Sequence, residues 1–301
     1  MRLRLMSMIL LAALASLALA GGKLSSFDAA TAHAATFAQD EHQDSHKEKH
    51  KSGGDDYDDQ KDKHKGDDDS EFTERDEFRQ SYTLAPGAQV RVSGMNGSVD
   101  VETSAGGAAE VYVLRTARNR SDLDYHKVIV EQTATGLVVR GENDRDHNSN
   151  GENHQVRQRV TMRIPRNVDF TASGINGRAT VGELDGPVRL SGINGRVDVA
   201  QARGYVDISG INGAVTMLIT QVTERGIRVS GVNGRVELRF DGALNADLAV
   251  SGVNGSVNAD MPNVTVQGRV SRTSFNAKIG AGGAPINVSG VNGSVHLVPR
   301  S

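Results

Sequence analysis

His42, His46 and His50 recur every four residues, His64 follows, and the carboxylates of Asp55, Asp56, Asp58, Asp59, Asp67, Asp68 and Asp69 stand among them. Imidazole suits zinc, copper and nickel, so these residue types describe a weak, fluxional metal site wherever something fixes their geometry. The segment around them offers nothing to fix it. The Asp clusters also lack the spaced ligands and the fixed Gly of a calcium loop. Solvated charge is the preferred reading, and no metal site is expected. His126 near Asp122 and Asp124 is a catalytic pair only in the loosest sense, and a surface turn accounts for it better. "GAGGAP" at 280–285 begins like a dinucleotide loop but places Pro285 where the third Gly belongs, so no cofactor is expected. The chain has no Cys, hence no thiol nucleophile and no disulfide, and its many Ser-Gly pairs have no recurring His and carboxylate partner.

The residue pattern that does recur is Ser-Gly-x-Asn-Gly. "SGING" at 191–195 returns in seven full copies: "VRVSGMNGSVDV" at 90–101, then "FTASGINGRATV", "VRLSGINGRVDV", "VDISGINGAVTM", "IRVSGVNGRVEL", "LAVSGVNGSVNA" and "INVSGVNGSVHL". Its fixed residues are Gly94, Asn96 and Gly97; Gly174, Asn176 and Gly177; Gly192, Asn194 and Gly195; Gly210, Asn212 and Gly213; Gly231, Asn233 and Gly234; Gly252, Asn254 and Gly255; Gly290, Asn292 and Gly293. An eighth copy, "TSFNAKIG" from Thr273, replaces both glycines and reads as degenerate. Such a pentad is either a site used many times or a corner turned many times.

The flanking residues favour the corner. In the copy at 188–199, Val188 and Leu190 share one face with Val197 and Val199, while Arg189, Ser191, Arg196 and Asp198 take the other. Ile193 belongs with the apolar set but is out of phase with Leu190, so the alternation slips at Ser191-Gly192, and a slip that keeps the core face requires a bend. Gly supplies positive φ, and Asn is the best non-Gly residue for the left-handed region, so Asn194-Gly195 suits a sharp turn. The serines at 173, 191, 209, 230 and 251 are separated by 18, 18, 21 and 21 residues. Coils of that length, stacked about 4.8 Å apart, would set the asparagines above one another as a hydrogen-bonded ladder. The competing geometry is an Asn-Gly hairpin repeated in a meander, sandwich or barrel.

Elements of period two also fill the chain before the repeats: "SYTL", "QVRV", "EVYVLRT", "KVIVEQ", "LVVRG" and "RVTMRI" read as strands, "SDLDYH" as one helical turn, and 142–155 as a mobile loop. The fold class expected is therefore all-β: a single-stranded parallel β-solenoid of about 18–21 residues per coil, each coil stacked on the last. Ahead of it, Arg2 and Arg4 precede "LMSMILLAALASLALA", the layout of a signal peptide cleaved after Ala20. Residues 39–76 hold 15 acidic residues against seven Lys or Arg with hardly an apolar side chain, the composition of a disordered tether. The division expected is 1–20 signal peptide, 21–76 tether, 77–172 β-rich N-terminal part and cap, and 173–301 repeats, with Pro299 helping to stop the far end. Export to the periplasm, cell surface or exterior of a bacterium follows, with no transmembrane anchor after cleavage.

Outward positions vary where the pentad does not. Ser98, Arg178, Arg196, Ala214, Arg235, Ser256 and Ser294 follow it, and Arg91, Arg189 and Arg228 lie two before the Ser, interrupted by Asp207, Ala249 and Asn287. A discontinuous basic stripe of this kind suits acidic glycans or lipid headgroups, but solvated charge that keeps a sheet face soluble is the preferred reading. A regular calcium ladder is not expected, since the places of Asp198 and Asp207 become Thr216, Glu237, Asn258 or His296 in other copies.

The strand entry "FRQSYTLAPGAQVRVSGMNGSVDVET", the stretch ending "RVTMRIP" and the repeated "VxVSGxNGxVxV" together resemble the bacterial DUF4097 family of candidate adhesins, over about residues 78–298. The resemblance implies a β-solenoid in an envelope or surface protein and brings no catalytic residues with it. The function expected is a non-enzymatic exported scaffold whose partners are cell-surface glycans or envelope components rather than nucleic acid. The alternative is a carbohydrate-active enzyme, a polysaccharide lyase or hydrolase, on the same parallel β-helix. Open solenoid ends favour self-association, which leaves monomer and oligomer unranked.

Overall fold

In the computed structural model the described residues are 72–143, 155–241, 244–260, 264–267, 271 and 274–300. The signal-like segment, the His and Asp clusters of the tether and most of the 142–155 loop lie outside them.

Alternation of apolar and polar residues builds almost everything that is described. The strands are β1 (Glu74–Thr83), β2 (Gln89–Ser104), β3 (Ala108–Ala117), β4 (His126–Thr133), β5 (Gly136–Asn143), β6 (Val156–Pro165), β7 (Asp169–Asn176), β8 (Ala179–Leu184) and β9 (Val188–Asn194). They continue with β10 (Val197–Ala202), β11 (Val206–Asn212), β12 (Val215–Ile219), β13 (Ile227–Phe240), β14 (Ala246–Ser251), β15 (Asn254–Ala259), β16 (Val264–Val266), β17 (Ser274–Ile279) and β18 (Ala284–Pro299). One helical turn, α1 (Arg120–Tyr125), follows β3, its N-terminus capped by the Asn119 side chain, which accepts from the Asp122 N–H.

Each repeat places one strand before its pentad and one after it. Before the pentads, hydrogen-bonded neighbours run β4, β5, β2, β7, β9, β11, β13, β18, β14, β17 and β16. After the pentads they run β1, β3, β6, β2, β8, β10, β12, β13, β18 and β15. The long strands β2, β13 and β18 pass through the corner and belong to both runs. The repeats pair in parallel and in register, Ser173 with Ser191, Ser191 with Ser209 and Ser209 with Ser230.

The sheet as a whole is mixed, so the all-β expectation holds but the single-stranded parallel β-solenoid expected from the repeats does not describe it. Antiparallel pairs β1/β3, β3/β6 and β4/β5 flank one end, and β14/β17 and β16/β17 the other. Nor do the layers follow chain order. Strand β2 lies between β5 and β6 on one side and β7 and β8 on the other. At the opposite end the last copy, β18, inserts between β13 and β14/β15, so Ser230 and Ser251 both pair with Ser289 and not with each other. The equal sequence step of 21 from Ser230 to Ser251 is thus not a stacking step. Pro299 is the last residue of β18 and pairs with Phe240, so it ends a strand within the stack and not the stack itself. The degenerate copy adds no further parallel layer either: β17 runs antiparallel to β14, with Asn276 opposite Ala249.

A physical reason for the inserted layer lies in the inward positions. After their pentads β13 and β18 offer Val236 with Leu238 and Val295 with Leu297, all fully buried. At the equivalent places β15 has Val257, half-buried, and Ala259, exposed. Each Leu gains about 1.5–3 kcal/mol from full burial, so the copy with Ala loses least by taking the end position. Inward residues of all layers join one core cluster, and Ala117, Leu123 and Val156 form a small second one beneath α1.

Candidate functional site

The two glycines of a pentad have different reasons to be glycine. Gly192 has φ +59°, a left-handed conformation, and a Cβ there would have ordinary space around it. Gly195 has φ +149°, and a Cβ on it would lie 2.2 Å from the Gly177 carbonyl oxygen of the layer below. The first glycine bends the strand, so that Ile193 returns to the core beside Leu190, at 1% and 0% exposure. The second lets adjacent layers touch backbone to backbone.

Between them the asparagine links layers. Asn254 Nδ2 donates to Asn292 Oδ1 (3.2 Å), Asn292 to Asn233 (3.0 Å), Asn233 to Asn212 (3.0 Å) and Asn212 to Asn194 (3.0 Å). Asn194 donates to Asn176 (3.0 Å), Asn176 to Asn96 (3.1 Å), and Asn96 Nδ2 closes the chain on the Val156 carbonyl at 3.0 Å. The amides all point the same way, so each bond polarises the next. The left-handed residue at each corner is the first glycine, while the asparagine ends or continues a paired strand and carries the ladder.

One residue of this device is absent from the repeat pattern. Gln158 is 5% exposed, and its Oε1 accepts the Asn96 backbone N–H at 2.9 Å. It occupies the inward phase of β6 with Val156, Val160, Met162 and Ile164. A polar side chain in an apolar phase was the available signal.

The outward rows that flank the corner are now ordered in space. Serines line the side before it, half-buried except for the exposed Ser251. On the side after it, Arg159, Ser98, Arg178, Arg196, Ala214, Arg235, Ser294 and Ser256 follow one another from β6 to β15. The four arginines of this row are exposed. Asp198, one place further along β10, stands between Thr180 and Thr216, with Arg196 3.9 Å away. Burial pushes its carboxyl above the usual Asp value, and the Arg196 and Arg178 guanidinia offset this only partly. Asp207 is flanked in register by Arg189 and Arg228, not by carboxylates. Arg189 and Arg225 lie 5.9 and 5.3 Å from the Tyr205 ring centroid, and Tyr205 donates to Asp207 at 3.2 Å.

The other candidates lie among hydrogen bonds at turns and corners. His126 Nδ1 is 2.8 Å from Asn143 Oδ1, and the His126 backbone N–H donates to the Asp122 carbonyl. Arg115 ties this corner together, donating to Asp76 and to the carbonyls of Leu123 and His126. "GAGGAP" is the turn between β17 and β18, where the Ala281 N–H donates to Asn245 Oδ1 at 2.8 Å. An open cleft of about 430 Å³ between residues 83–89 and 132–136 has no titratable side chain in its lining. Among the described residues, no group of three or more His, Asp or Glu is placed to hold a metal ion. No helix among them is long and apolar enough to cross a membrane.

No family model matches the chain, and no curated protein matches it. Among solved structures it is similar to a proposed cell adhesion protein from Clostridium sporogenes, with TM-score 0.40 and 9% identity over 75% of this chain and 100% of that one. A proposed adhesin from Bacteroides fragilis gives 0.26 and 10%, over 75% and 97% of the two chains. A proposed lipid binding protein from Parabacteroides distasonis gives 0.23 and 10%, again over 75% and 97%.

Proposed function

We propose that the protein is a non-enzymatic scaffold of the bacterial cell envelope or surface, built on a core of repeats paired in register and carrying its binding residues on the variable rows beside the corners. The observation that carries this reading is the ladder. The residues repeated most faithfully direct their hydrogen bonds at one another, and the glycines beside them hold backbone against backbone. Repetition here maintains stacking, which leaves recognition to positions that change from layer to layer. The export-like N-terminus and the resemblance to DUF4097 point to the same setting.

The exposed row of Arg159, Arg178, Arg196 and Arg235 is the surface proposed for acidic glycans or other anionic envelope components. Its neighbours on the corner side are uncharged Asn and Ser, which lets an anion approach without meeting a carboxylate first. The test is a glycan and envelope-polymer array with the mature full-length protein, beside Arg159→Gln/Arg235→Gln, two members of the row away from Asp198. Salt-sensitive retention of an acidic polymer, weakened in the variant at unchanged melting temperature, is the expected result. Identical profiles for the two proteins would remove the arginine row from the reading. Sustained release of reducing ends or unsaturated products from a polysaccharide panel would replace it with a carbohydrate-active enzyme.

A further inference from the structure

We propose that Asn254 is a site of spontaneous deamidation, set apart from the other six ladder asparagines by its place on the open edge of the stack. All seven precede a glycine, and Asn-Gly is the dipeptide in which the following backbone nitrogen reaches the side-chain amide carbon with least steric hindrance. In the first step the Gly255 nitrogen loses its proton to hydroxide and attacks Cγ of Asn254. The Cγ–Nδ2 bond breaks as Nδ2 takes a proton from water and leaves as ammonia, which restores the hydroxide, and a five-membered succinimide remains. Water then opens either carbonyl to give aspartate or isoaspartate. No oxidant or reductant is involved.

Interior layers oppose the first step. Gly177, Gly195 and Gly213 each donate their N–H to the carbonyl of the ladder asparagine in the next layer, Asn194, Asn212 and Asn233, at 2.9 Å. The nucleophilic nitrogen is therefore committed to a hydrogen bond, and the amide it would attack is held along the ladder.

At β15 both restraints relax. Among the described residues no layer follows it, so the Gly255 N–H that would donate onward leaves the free edge of the strand. Gly255 is exposed, whereas its six counterparts from Gly97 to Gly293 are half-buried. Among the described residues Asn254 Oδ1 receives no donor from a further layer, and its own bond to Asn292, 3.2 Å, is the longest of the Asn–Asn bonds. The reaction also has a structural consequence. It replaces an amide donor facing Asn292 Oδ1 with a carboxylate, and it charges a strand that carries no charged side chain from Asn254 to Ala259. Charge on an edge strand discourages addition of another strand, so ageing of Asn254 would close this edge to pairing.

The test is peptide mapping by mass spectrometry of the full-length protein held in mildly alkaline buffer, native and in concentrated urea. The Asn150-Gly151 pair, outside the described residues, is read on its own peptide and does not enter the comparison. In the native protein Asn254 should convert at least about ten-fold faster than any other ladder asparagine, because an interior layer must first open locally. In urea the seven rates should converge. A smaller native ratio overturns the proposal, and so does a preference that persists in urea, since it would trace to local sequence and not to the edge.

Discussion

The two ends of the asparagine ladder are finished differently. At β2 the ladder meets a prepared surface: Asn96 donates its side chain to Val156 O and its backbone N–H to the buried Gln158. Strands β6, β3 and β1 then extend that side of the sheet. At β15 the ladder stops, among the described residues, at an exposed Asn254, on a strand whose inward places hold Val257 and Ala259. The first end is sealed by polar groups built for it, and the second is ended by weakening the repeat. The contrast shows how one pentad can serve as interior and as boundary: what differs is the partner supplied, not the corner itself.

The largest test of this contrast is steric. Gly195→Val sets a side chain against the Gly177 carbonyl while Gly213 closes from the other side. At φ +149° it is strained as well. A loss of several kcal/mol is expected, which for a domain of this size lowers the melting temperature by about 10 °C or more. Gly255→Val meets Gly293 O at an even shorter distance, 1.8 Å, yet its layer has a neighbour on one side only and can withdraw. Its melting temperature should fall by less than half as much. Equal losses would show that the end layer is as firmly held as the interior.

Next in size is the sealed end. Gln158→Leu keeps the volume but leaves the Asn96 N–H without its acceptor, at a cost of about 1–3 kcal/mol by denaturant unfolding. Removing ladder amides gives a finer scale. Asn194→Ala breaks two Asn–Asn bonds and Asn254→Ala one, both at exposed positions. About 1 kcal/mol is expected for the first and about half of that for the second. Equal effects would mean that the second bond of an interior asparagine adds nothing to the stack.

Much of this was legible in the sequence, and the failures are specific. Alternation located the strands, and the phase break between Leu190 and Ile193 located the bend. The constant 21-residue step misled, because Ser251 has the same surroundings in sequence whether it stacks on Ser230 or on Ser289. Only the depleted inward places of its copy, ending in Ala259, hint that it belongs outside. Asn194 was read as the left-handed residue of the turn. Gly192 supplies that conformation, and the asparagine's worth lies in a contact 18 residues away that local reasoning cannot weigh. Gln158 was passed over because strand patterns are read for their apolar members, and it is the exception that closes the ladder.

The smallest effect concerns the surface midway between the ends. Asp198 sits in register between Thr180 and Thr216, and burial raises its carboxyl above the ordinary Asp value despite Arg196 and Arg178. A carboxyl whose folded value is raised favours the protonated form. Its contribution to stability is fully present below the unfolded value and is lost as pH rises through the folded one. At neutral pH the ionised Asp198 is therefore a mild liability, discounted by the solvent that reaches a third of its side chain. Asp198→Asn should be slightly more stable than the wild type at pH 7, with the difference vanishing on acidification below the ordinary Asp range. The equivalent change at Glu237, which Arg239 holds at 2.7 Å, should bring no such gain. Denaturant midpoints measured across that pH range decide it. A variant less stable at pH 7 would mean that the Arg196 contact outweighs burial, and that the interior of the stack tolerates charge as readily as its ends.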